Sequence, residues 1–111
     1  MKAVIYFVFN DNEENYIEDI QKKLTYDVKQ FVITDISNPN KSIYSKIENI
    51  FYFKDMTSCL NNLTVILTYL EIFNYKEIML FNVNKTYNCD QIVYKDILKV
   101  KKEFSVVNSI L

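Results

Sequence analysis

The chain opens on an unbroken apolar and aromatic run, Ala3 to Phe9. A run this short, rich in β-branched and aromatic residues, predicts a strand buried on both faces. Asp11-Asn12-Glu13-Glu14 follows as a cap with first-turn carboxylates, then Ile17, Ile20 and Leu24 recur at helical spacing. Lys22 and Lys23 stand near the end of that helix, where the dipole favours cations. Gln30 to Ile36 predicts a second strand, and Asn38-Pro39 opens a short helix through Ile43, Tyr44 and Ile47. Asn49 to Phe53 is a third strand ending at Lys54-Asp55. Thr57 or Ser58 can cap the next helix, whose apolar positions (Leu60, Leu63, Ile66, Leu67, Leu70, Phe73) cover more than one stripe. Glu71 is its only charge. Glu77 to Val83 predicts a fourth strand. Asp90 to Phe104 predicts a helix with Val93, Ile97, Val100 and Phe104 inward, and Ser105 to Leu111 predicts a last strand.

Strands alternating with helices at these spacings predict a single α/β domain over residues 1–111. Its form would be a three-layer α/β/α sandwich with a mainly parallel sheet of about five strands, flavodoxin- or Rossmann-like. Crossovers should be right-handed. The expected core is Val4, Tyr6, Val8, Val32, Phe51, Leu63, Ile66, Leu67, Leu70, Met79, Phe81, Ile97 and Val100.

Composition narrows the chemistry through its zeros. The 111 residues contain no Gly, no His and no Trp, and all thirteen cations are Lys. Without Gly there is no Walker A loop, no dinucleotide-binding turn and no nucleophile elbow. Without His there is no imidazole base and no imidazole metal ligand. Without Arg, bidentate phosphate clamps are gone too. A net charge of −1 gives no bulk field for nucleic acid or an anionic membrane. Lys95, Lys99, Lys101 and Lys102 read as a solvated helix face. The abundance of Asn, Ile, Lys and Tyr without Arg points to an AT-rich genome, which inflates those residues whatever the function. Cys59 and Cys89 form no C-x-x-C pair and suit free thiols in a reducing cytoplasm. The Leu63 to Phe73 run is too short to span a bilayer.

Ligands of open α/β sheets bind beyond the carboxyl ends of the strands. That edge would gather Asn10 and Asp11, Asp35, Asp55, and Asn82, Asn84, Lys85 and Thr86. Asp11, Asp35 and Asp55 together suit a hard cation such as Mg²⁺. Capping and turn chemistry accounts for the same residues, because Asp and Asn satisfy free backbone N–H groups wherever strands end.

The opening strand, Asn10-Asp11-Asn12-Glu13-Glu14-Asn15 and the amphipathic helix resemble the start of response-regulator receiver domains. The resemblance implies Asp11 as a Mg²⁺ ligand and Asp55, ending the third strand, as phosphoacceptor. The departures are specific. Asn10 stands where the first acid belongs, Asn82 where a hydroxyl residue belongs, and Ser105 to Leu111 lacks the expected Lys. They imply a degenerate relative. A looser resemblance links Leu63 to Val83 with halves of nucleotide-sugar-binding glycosyltransferases, which would need a partner domain to complete a cleft.

The functional expectation is a non-enzymatic domain acting through protein contacts. The rival is a Mg²⁺-dependent phosphoryl or phosphodiester site. The charge-poor long helix and a terminal strand with no helix to cover it predict a homodimer through Leu63, Tyr69, Val107, Ile110 and Leu111.

Overall fold

A computed structural model describes residues 1–9, 15–24, 27–35, 43–81 and 94–110. Its sheet has the order β3-β2-β1-β4-β5, formed by β1 (Lys2–Val8), β2 (Val28–Thr34), β3 (Asn49–Tyr52), β4 (Glu77–Phe81) and β5 (Lys95–Asp96). The first four strands are parallel, while β5 runs antiparallel to β4. Helices α1 (Asn15–Gln21), α2 (Met56–Ile72) and α3 (Ile97–Ile110), with a 3-10 turn at Ile43–Lys46, complete the described elements. The α/β class and mostly parallel sheet follow the alternating pattern of the sequence.

The central strand explains its own composition. β1 is paired on both sides and Ala3 to Val8 are wholly buried, so neither face can be polar. Strand alternation divides these residues between two cores. Ala3, Ile5 and Phe7 pack with Leu63, Leu67 and Leu70 of α2 and with Ile97, Val100 and Phe104 of α3. Val4, Tyr6 and Val8 pack with Ile17 and Ile20 of α1 and with Tyr44 of the 3-10 turn. Every expected core residue is buried except Phe51, which is half-buried against the first cluster.

Among the described residues two polar side chains, Gln30 and Thr34, enter the interior, and both are hydrogen-bonded. The Tyr6 hydroxyl donates to Gln30 Oε1 at 2.9 Å, and Gln21 Nε2 donates to the same oxygen at 3.0 Å. Thr34 Oγ1 donates to the Val8 carbonyl at 2.6 Å. Unpaired, such groups would each cost about 1–3 kcal/mol. Burial drives the Tyr6 hydroxyl pKa well above the usual phenol range, so it remains a donor.

α2 stops without glycine. Asn74 adopts φ 70°, the left-handed conformation that Asn tolerates better than most residues. The Tyr75 N–H donates to the Leu70 carbonyl at 3.1 Å and the Asn74 N–H to the Glu71 carbonyl at 3.0 Å. This is a Schellman closure, and its accompanying apolar contact is supplied by Tyr75 and Leu70, both in the first core.

Several boundaries depart from the sequence expectation. Asp55, rather than Thr57 or Ser58, caps α2, its carboxylate accepting the Ser58 N–H at 2.7 Å. The helix expected from Asp90 begins at Ile97, where Asp96 accepts the Leu98 N–H at 2.9 Å. Residues 82–93 lie outside those described. The largest correction is the chain end: residues 105–110 continue α3 instead of forming a strand. No Gly or Pro interrupts the chain after Phe104, and Ile97, Val100, Phe104 and Val107 keep a helical period. The β-branched pair Val106-Val107 suggested a strand that the continuing hydrogen-bonded helix overrides. The dimer expectation based on an uncovered C-terminal strand loses its premise. Val107 and Ile110 belong to α3, and Leu111 lies outside the described residues.

Strand order also differs from the flavodoxin type. Flavodoxin-like sheets run 2-1-3-4-5, whereas this one runs 3-2-1-4-5, putting β3 at an edge instead of beside β1.

Candidate functional site

α2 has two different flanks around its buried stripe. Leu63, Ile66, Leu67 and Leu70 point into the core, with Cys59 beneath the first turn. At 100° per residue, Glu71 falls on one side of this stripe and Tyr69 and Phe73 on the other. Contacts confirm the assignment. Glu71 accepts from Lys101 Nζ of α3 at 2.8 Å. Tyr69 meets Phe51 of β3 edge-on at 6.0 Å and Phe73 at 4.8 Å.

Away from α3, α2 is exposed and apolar. Val65 is 66% exposed, Ile72 72%, Phe73 53% and Tyr69 41%, which no isolated surface helix gains by presenting to water. Thr64, Val65, Thr68, Tyr69 and Ile72 line a shallow groove of about 390 Å³ along this crest. The threonines interrupt it little, since Thr68 Oγ1 donates back to the Thr64 carbonyl at 2.8 Å. A second recess of about 260 Å³ opens among Phe31, Tyr69, Phe73 and Tyr75, with Glu48 and Asn49. Burial, then the nearby Glu48 carboxylate, raises the Tyr75 pKa.

Of the residues expected at an interface, Tyr69 lies on this face. Leu63 is wholly buried and belongs to the core. Val65, Ile72 and Phe73 complete the apolar surface. The signal for Val65 and Ile72 was present in the sequence. Once Leu63, Leu67 and Leu70 define the inward stripe, positions 65 and 72 fall opposite it. The apolar width of the helix obscured which residues formed that stripe.

The acidic edge has a different character. Asp35 follows β2 and is exposed; Asp55 follows β3 and is exposed. Asp11, and with it Asn10, Asn82, Asn84, Lys85, Thr86 and Cys89, lies outside the described residues. β3 is separated from β1 by β2, so Asp55 starts two strand spacings, about 10 Å, from the end of β1. Its carboxyl is held below the ordinary carboxylate range by the Ser58 backbone N–H, then by the Ser58 side chain and Lys54. Those interactions make it a helix cap. No group of three or more Asp, Glu or Cys side chains able to hold a metal occurs among the described residues.

Cys59 is enclosed under α2, and burial pushes its thiol up to about 12, leaving it unreactive near neutral pH. Among the described residues, no helix is long and apolar enough to cross a membrane. No protein-family model, curated protein or solved structure matches the chain.

Proposed function

We propose that this chain is a non-enzymatic α/β domain that works through protein contacts and associates with a second copy of itself. The observation that carries the reading is the uncharged, exposed crest of α2, with Val65 and Ile72 about two-thirds exposed. Apolar area of this kind, grouped along one helix, gains free energy when covered by another protein surface. We read the fold as Rossmann-like, since the 3-2-1-4-5 order fits that type better than the flavodoxin type. In this reading Asp55 has a capping role and is not a phosphoacceptor.

The test is light scattering across the micromolar range on the wild type and on a Val65→Lys/Ile72→Lys variant. The expected result is a wild-type dimer and a variant shifted to monomer with unchanged circular dichroism. A strictly monomeric wild type would sink the reading. The Mg²⁺ rival is separated by thermal shift. A rise in Tm with millimolar Mg²⁺ or Mn²⁺, abolished by Asp11→Asn, would favour the rival, because a ligand of the native state must raise apparent stability.

A further inference from the structure

The recess beneath the last turn of α2 is walled by aromatic rings. The Schellman closure turns the chain back at Asn74, and the Tyr75 N–H bond to the Leu70 carbonyl sets Tyr75 under the helix end. There its ring meets Phe31 of β2 at 5.5 Å and 89°. Two rings at right angles present a face of each to the space in their angle. Phe31 is 2% exposed and Tyr75 6%, so this pair forms the floor. Tyr69 and Phe73, 4.8 Å apart and both exposed, form the open side.

Ring faces carry the negative part of the aromatic quadrupole. Glu48 adds a carboxylate, the only one among the described lining residues. Its N–H donates to the Gln30 carbonyl at 2.7 Å, which fixes its backbone beside β2, and its charge is near enough to Tyr75 to raise that pKa. Lys29 holds the carboxylate only loosely, at 3.9 Å between half-exposed side chains. The Met1 ammonium is turned to the Asn74 carbonyl at 3.4 Å, outside the residues that line the recess. No described residue hydrogen-bonds the Tyr75 hydroxyl, although Tyr75 is almost wholly buried. Buried polar groups normally have a partner, so this hydroxyl is open to a ligand.

We propose that the recess binds a small organic cation, a quaternary ammonium head seated against Phe31, Tyr69, Phe73 and Tyr75 with Glu48 as its counter-charge. Ring faces and carboxylate attract the same sign of charge, and aromatic enclosures of this kind suit alkylated ammonium groups. The volume of about 260 Å³ falls below the roughly 300–1,000 Å³ of drug-sized sites, which limits the ligand to a compact head group. The site lies at the start of β3, within one copy of the chain, and does not depend on self-association.

The test is calorimetric titration of the full chain with choline, together with amide shifts followed by NMR. The comparison ligand is choline's neutral carbon analogue, in which a tert-butyl group replaces trimethylammonium. Choline should bind saturably, with shifts at Tyr69, Phe73 and Tyr75, and the neutral analogue should not. Glu48→Gln and Phe73→Leu, both at exposed positions, should each weaken choline about two- to fivefold with unchanged circular dichroism. Val65→Lys/Ile72→Lys should bind choline as the wild type does, since neither residue lines the recess. An acetylated trimethyllysine amide carries the same head, and the tighter of the two ligands identifies its source as a free molecule or a protein side chain. Absence of saturable choline binding, or equal binding of the neutral analogue, would overturn the proposal. So would wild-type affinity in Glu48→Gln.

Discussion

At one edge of the sheet, β5 is two residues long, both of them charged, and passes at once into a helix bearing Lys99, Lys101, Lys102 and Glu103. At the other edge, β3 is four residues long and uncharged, beside a helix flank of Tyr69 and Phe73. Lys95 and Glu103 approach to 3.9 Å across the β5 side, placing charge where a foreign strand would have to dock. Shortness and charge blunt that edge. The β3 edge has neither the shortness of β5 nor its charge. Both edges belong to one sheet, and the difference in their capacity to pair lies in strand length and side-chain charge.

The largest expected effect comes from unseating α2. Leu67→Ala should cost about 2–5 kcal/mol of unfolding free energy, as truncation of a wholly buried leucine does. Urea denaturation would measure it, and a loss below about 1 kcal/mol would mean that α2 packs less tightly than its burial indicates. The two edges are contrasted directly by Tyr52→Lys and Leu98→Lys, residues of nearly equal exposure at 56% and 57%. Tyr52→Lys should shift light scattering toward monomer and Leu98→Lys should leave it unchanged. Equal effects would remove the distinction between the edges.

Asn74→Ala should lose roughly 1 kcal/mol, the cost of a Cβ at positive φ without the Asn side chain, whereas Asn74→Gly should not. Chemical denaturation of the pair separates backbone strain from lost contacts. Glu71→Gln should cost less than about 1 kcal/mol, since its partner Lys101 is only partly buried. The smallest effect concerns the Asp55 cap. Asp55 has a folded pKa below its unfolded value, so its contribution is present above the unfolded pKa and is lost as pH falls through the folded one. The Tm of the wild type should therefore approach that of Asp55→Asn as pH is lowered through the acid range. A constant difference between them at all pH values would show that the carboxylate charge contributes nothing.

Local pattern alone was sufficient to identify four strands and the long helix. Continuous burial of β1 forces an apolar run, and the 3-4 spacing of Leu63, Leu67 and Leu70 can be satisfied only by a helix with one face inward. Cap choice was less legible. Asp55, Thr57 and Ser58 all have side chains able to accept a backbone N–H, and the chosen cap depends on where the chain leaves β3. At the C-terminal segment Val106-Val107 favours a strand locally, whereas a helix already started at Ile97 continues at little cost until something stops it. Strand order could not be read at all, since the apolar pattern of a parallel strand is the same at every internal position. That order alone places β3 at the edge and Asp55 away from β1. The sequence determined which residues leave water; the tertiary structure decided which strand was left unpaired, because pairing partners are chosen between segments far apart in the chain.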